Sequence, residues 1–390
     1  MNTSIKITTA ARARKKEQRN IYFIAMSKFK HFKQLYQDNK FDVLLKEDGS
    51  IYWLKLRSIS RKELLVEFCS LANIDCLAIR GTALFEHIYD SKPSEELLDK
   101  FIAQKHLAER SERKANETAL VSELYKMKVF DWGGLYQNNL EKTIVDNYIK
   151  KIRSFDLLNE KIENEIHDSM RGYVQSSWYN HWTSILVEDI FKDHKKVTPT
   201  VGLIKKVDFF IGDIPFDLKV TYFPEGFMTA SRKADGLPTE LQVLKRFVKT
   251  LGIQYNRKQK DKVLFAELLT RIEESQKSEA KKFIMEFRKT RWSMIQKVVK
   301  EPHKLIKWLY EEQGERRFDA ANRLFLVLVD KNNLEESWKM KRNLDLLRDT
   351  INGHLDKFNG KEADKLKIEF DWIDGKRYTA LSDVIFVVKE

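Results

Sequence analysis

The feature that most limits how this chain can fold is the alternation in Lys205-Lys206-Val207-Asp208-Phe209-Phe210-Ile211-Gly212-Asp213-Ile214-Pro215-Phe216-Asp217-Leu218-Lys219-Val220. Gly212-Asp213 suits a two-residue hairpin turn of type II′, which takes glycine first. The turn fixes the register. Ile211 then faces Ile214, Phe209 faces Phe216 and Val207 faces Leu218. With Val220 they make one wholly apolar face, which must lie in a core. The other face carries Lys206, Asp208, Phe210, Pro215, Asp217, Lys219 and Thr221. This register sets Asp208 directly across from Asp217, with Lys219 two residues farther along the same face. Opposed Cβ atoms lie about 4.5–5.5 Å apart, where like charges destabilise the pair. Two aspartates there need a compensating cation, supplied by a neighbouring lysine or by a divalent metal. Two hard carboxylates with positions left for water and phosphate describe a Mg²⁺ site. The alternative is a surface hairpin whose Asp and Lys form a cross-strand salt bridge.

Strands interleaved with helices surround this hairpin, which predicts an α/β or α+β fold. The pattern predicts a helix over 175–193, with Trp178, Trp182, Ile185, Leu186 and Ile190 on its apolar side. It then predicts strands at 204–211 and 214–222, a long helical stretch over 239–313, and an apolar strand at 323–330. A helix over 335–357, a hairpin of 367–373 with 376–381 and a last strand at 384–389 complete the C-terminal half. Before residue 171 the reading is mainly helical. A hairpin at 41–57 turns on Asp48-Gly49, and Ser60-Arg61-Lys62-Glu63 is a capping box that opens a helix. The domains expected are a flexible basic arm over 1–40, a separate mainly helical region over 41–170 that is a candidate for DNA recognition, and an α/β domain over 171–390. An insertion interrupts the last at about 226–318.

Charge sharpens the functional reading. Of a net +13, residues 1–40 hold +8 and residues 245–300 hold +10, which leaves the rest at −5. A polyanion such as nucleic acid is the partner such localised charge selects, because each phosphate neutralised releases counterions. Two cysteines, Cys69 and Cys76, exclude a disulfide scaffold and fit a reducing cytoplasm. No apolar run approaches a membrane span. There is no P-loop, hence no nucleotide cofactor expected in this chain, and the eight histidines lack zinc-type spacing.

Asp208 followed by Asp217-Leu218-Lys219 resembles the PD-(D/E)xK nuclease superfamily, which includes restriction endonucleases and Holliday-junction resolvases. That family places an acid on the helix before the sheet, and Glu188 in Leu186-Val187-Glu188-Asp189-Ile190 fits, with Asp189 the other choice. Val207 stands where the motif has proline, and no Gln-x-x-x-Tyr follows Lys219. The resemblance covers about 90 residues by this reading. It implies a restriction-endonuclease-like mixed sheet flanked by helices. It also implies catalytic Glu188, Asp208, Asp217 and Lys219, and Mg²⁺, with Mn²⁺ able to substitute, on Asp208, Asp217, the Leu218 carbonyl and Glu188. The activity implied is hydrolysis of double-stranded DNA in restriction or phage defence. The alternatives are the same chemistry on RNA, tRNA or branched DNA, or a non-catalytic DNA-binding protein. The sequence allows a homodimer. Lys245, Arg246, Lys249, Arg257, Lys258, Lys260, Lys281, Lys282, Arg288, Lys289 and Arg291 are the insertion residues expected to grip phosphates.

Overall fold

The computed structural model describes residues 27–130, 142, 144–312 and 321–390, apart from 77, 80, 257, 373 and 374. It is a mixed α/β structure around a six-stranded sheet of order β1-β2-β3-β4-β6-β5. The strands are β1 (Val197–Ile204), β2 (Val207–Ile211), β3 (Ile214–Tyr222), β4 (Arg323–Asp330), β5 (Lys367–Asp371) and β6 (Arg377–Lys389). β3, β4 and β6 run parallel, and the remaining neighbours are antiparallel. β4 is buried along its whole length, as a central parallel strand must be.

Helices precede the sheet: α1 (Lys28–Gln37), α2 (Phe41–Leu44), α3 (Ser50–Ser58), α4 (Lys62–Ala72), α5 (Thr82–Ser91), α6 (Glu95–Tyr125), α7 (Phe155–Lys161) and α8 (His167–Lys192). Between β3 and β4 lie α9 (Glu225–Ala234), α10 (Glu240–Thr250), α11 (Asp261–Glu273), α12 (Ser278–Lys300) and α13 (His303–Glu312). A further helix, α14 (Leu344–Lys357), precedes β5. One face of the sheet packs on α8 and α14 through Leu186, Val187, Leu218, Leu326 and Leu347. The other packs on α9, α12 and α13 through Phe227, Ile295, Leu309, Phe325 and Val327. The expected helical insertion is present, and α10, α11 and the first half of α12 bury a small core of their own around Leu244, Leu268 and Ile284.

Several sequence expectations are corrected here. Part of the basic arm is structured: Phe29, Phe32, Leu35 and Tyr36 recur at helical spacing and are buried in α1, while residues 1–26 lie outside the described residues. The hairpin expected at 41–57 is helical. Gly49 does take a positive φ of 84°, but as the residue that opens α3. The capping box fails, since α4 starts after Arg61 with no side-chain cap. The strand expected at 204–211 is two strands, parted by a turn in which Lys206 has φ +61°. β1 was hidden by Pro199, which an edge strand tolerates because it lacks one ladder partner. The strands expected at 376–381 and 384–389 are the single strand β6.

The N-terminal helices are not a separate unit. Phe41, Leu54, Phe68, Ile88 and Phe101 share one core with Ile204, Val207 and Phe210 of the first two strands. Val207 therefore packs with the N-terminal helices rather than with Leu218, because the turn and bulge beside it redirect the strand. At Gly202 in β1 a side chain would meet the Ser58 carbonyl of α3 at 2.5 Å, so glycine lets the two backbones touch. The boundary expected at 170–171 falls inside α8, which continues from a π-helical turn, Ile162–Ile166.

Candidate active site

The hairpin pairs in the register the turn dictates: Phe209 with Phe216, Phe210 with Pro215, and Ile211 with Ile214. Gly212 has φ +59°. The β2–β3 pairing ends at Phe209–Phe216. From Asp217 onward β3 is hydrogen-bonded to β4, with Asp217 level with Arg323. The strand thus changes partner where the aspartate of Asp-x-Lys stands. The Asp217 N–H donates to the Asn322 carbonyl, toward β4. The next N–H, of Leu218, faces β2 and donates to Asp208 Oδ2 at 2.7 Å instead of to a β2 carbonyl. The Asp208 carboxylate wedges between the parting strands. In an extended strand the N–H and C=O of one residue point to the same side, so the Leu218 carbonyl also faces Asp208.

Asp217 is buried. Its Oδ1 accepts from Lys219 Nζ at 2.5 Å, and its Oδ2 lies 3.3 Å from Arg323 Nε. Arg323 is 1% exposed, and its guanidinium stacks on Tyr310 at 5.1 Å. Lys219 is partly exposed and can leave Asp217 for another anion. Burial pushes Asp208 up to about 6, and the negative charges of Glu188 and Asp217 push the same way. Glu188 therefore belongs electrostatically to the cluster, and its carboxylate is 3.0 Å from Lys192. Asp189, one residue on, is buried and bonded to Arg113 at 2.8 and 3.0 Å, with Arg110 at 3.6 Å. It clasps α8 to α6 and is engaged away from the cluster. Burial lowers Lys206 to about 8, with Arg323 next among the causes and Asp217 opposing them.

The structure thus brings together Asp208, Asp217 and Lys219, leaves Glu188 on Lys192 but within electrostatic reach of Asp208, and adds a residue the sequence reading missed. Arg323 opens a strand otherwise apolar through Val329, and a charge at the head of such a run is the signal that marks it. Among the described residues, no three His, Cys, Asp or Glu side chains converge closely enough to hold a metal ion. The fit to a divalent cation is one of charge and donor chemistry. Asp208 and Asp217 offer oxygen donors on the two parting strands, Glu188 adds its negative charge to theirs, and the repulsion is only partly relieved by Lys219.

The insertion residues divide. Arg246, Lys249, Lys258, Lys260, Lys281, Lys282 and Lys289 are exposed, Lys245 lies 3.8 Å from Asp261, and Arg288 pairs with Glu273 at 2.8 Å. Arg257 lies outside the described residues. Arg291 is corrected: it is 7% exposed and held between Glu240 at 3.0 Å and Glu335 at 2.8 Å. Its charge is spent on joining α12 to α10 and to the 3-10 helix after β4, Leu334–Arg342, since a buried guanidinium needs carboxylate partners. Comparison with family models, curated proteins and solved structures found no match.

Proposed function

We propose that this chain is a Mg²⁺-dependent endonuclease that hydrolyses phosphodiester bonds of double-stranded DNA, in a setting of restriction or phage defence. The observation that carries the reading is the meeting of Asp208, Asp217 and Lys219 where β3 exchanges β2 for β4, with the charge of Glu188 felt by Asp208. Asp208, Asp217 and the Leu218 carbonyl would hold the ion, with Glu188 directly or through water. A bound divalent ion supplies Lewis acidity and a water of lowered pKa. Lys219, released from Asp217, orients the attacking water and stabilises charge gathering on the phosphate oxygens. Arg323 is a positioning residue that fixes the Asp217 carboxylate from the buried side. The exposed lysines of the insertion would supply a positive surface for the phosphate backbone.

Cleavage of plasmid, linear duplex and RNA is the test, run with Mg²⁺ and with EDTA. Asp217→Ala should abolish Mg²⁺-dependent cleavage and leave DNA binding in Ca²⁺ intact. Full activity of that variant would end the site assignment. Cleavage of RNA alone would keep the chemistry and change the substrate. Binding that ignores Mg²⁺, with no cleavage of any substrate, would favour a non-catalytic DNA-binding protein.

A further inference from the structure

A second site lies farther along the same strand. Lys219, Thr221 and Phe223 form a half-buried row on one side of β3 and its continuation. Phe223 is four residues beyond Lys219, about 13 Å at the rise of a strand. There the row opens into a cavity of about 370 Å³ between α9, α12 and α13. Ligand pockets run from about 300 to 1,000 Å³. Its floor is apolar and aromatic: Phe223, Phe227, Met228, Met294 and Val298. The rings of Phe223 and Phe227 meet edge to face at 6.0 Å. Its rim carries Lys297, Lys300 and Lys304, all exposed, and none of the three is held in an ion pair among the described residues. Asp235 and Glu301 complete the lining, with Ser231 at the side.

We propose that this cavity binds one unstacked nucleotide of the nucleic-acid strand that passes the carboxylate cluster. An aromatic and thioether floor takes the flat face of a base. The three unpaired lysines take its phosphates, and a carboxylate at the rim accepts from an exocyclic amine, as acids do from cytosine N4. A purely apolar ligand would leave the lysines without partners, and a bare anion would leave the floor uncovered. The placement on the strand path rests on the nuclease reading; the binding itself does not.

The experiment measures binding of dCMP to the full chain in EDTA by titration calorimetry, with deoxycytidine, inorganic phosphate and dodecanoate as separate probes. Wild-type protein should bind dCMP at least tenfold more tightly than phosphate or deoxycytidine. Ser231→Trp fills the cavity and should weaken dCMP at least tenfold, while Ser231→Ala should not. Lys297→Glu with Lys300→Glu and Lys304→Glu changes only exposed side chains and should weaken dCMP by at least the same factor. If dodecanoate binds and dCMP does not, or if both variants bind dCMP like wild type, the proposal is overturned. So is dCMP binding no tighter than phosphate. Loss of dCMP binding in the variants of a chain that cleaves nothing would uphold this site while the nuclease reading fell. Mg²⁺-dependent cleavage without dCMP binding would do the reverse.

Discussion

Replacing Asp208 with Asn should make the metal-free protein more stable. Asn keeps an oxygen to accept from Leu218 N–H, so the wedge between β2 and β3 stays. What it removes is a negative charge that burial, Glu188 and Asp217 all oppose. The Asp208 carboxyl is raised from 3.8 to about 6 in the fold. At about 1.4 kcal/mol per unit that corresponds to roughly 3 kcal/mol of destabilisation at high pH. Part of this is shared with the two neighbouring acids, so the gain expected is about 1–3 kcal/mol. The sign follows from linkage. The folded protein holds this proton more tightly than the unfolded chain does. Wild type therefore gains stability as pH falls from above 6 toward 3.8, and carries the full penalty above 6. The advantage of Asp208→Asn should be widest at pH 8 and should close near pH 4. Thermal unfolding of both proteins in EDTA at pH 8, 6.5 and 5 reads the difference. Mg²⁺ at pH 8 should then raise the wild-type midpoint and leave the variant's in place, because only a state with a ligand site is stabilised by binding. A variant less stable than wild type at pH 8, or a difference that ignores pH, would refute the electrostatic account of the cluster.

Arg323→Met should cost about 3–5 kcal/mol in urea unfolding, since it leaves Asp217 buried with Lys219 alone; an unchanged midpoint would remove Arg323 from the cluster. Reversing Lys281, Lys282 and Lys289 to Glu should weaken binding to all DNA sequences alike and flatten the slope of log K against log salt by about 0.9 per lost contact, roughly 3 in all. Wild-type slope with wild-type melting would assign these lysines to solubility. Gly202→Ala should destabilise by about 1–3 kcal/mol in thermal or urea unfolding, because its Cβ would strike the Ser58 carbonyl and push α3 from β1; a neutral effect would mean the helices are not seated on the sheet.

Local rules made the hairpin legible in the sequence. A glycine-first turn sets the register, and a period of two then puts Asp208, Asp217 and Lys219 on one side without any knowledge of the rest of the chain. Helical periodicity likewise exposed the insertion and the helix that bears Glu188. Where local signals are ambiguous, tertiary packing decided. Gly49 with its neighbours can open a hairpin or a helix, and burial of Phe41, Leu44 and Trp53 against α1 and α5 selected helix. Pro199 reads as a break until its strand is known to be an edge. Spacing and reach favour Glu188 over Asp189 without deciding between them; Arg110 and Arg113, some 76 residues or more upstream, mark Asp189 as the structural acid. Arg291 looked like any other cation of a basic helix until Glu240 and Glu335 closed on it. The exchange of partners at Asp217 involves β4, which lies more than a hundred residues away, beyond the five-helix insertion. Turn type and side-chain alternation are properties of neighbours along the chain and can be read there. Which buried charge meets which is fixed by contacts distant in sequence, and only the folded chain brings them together.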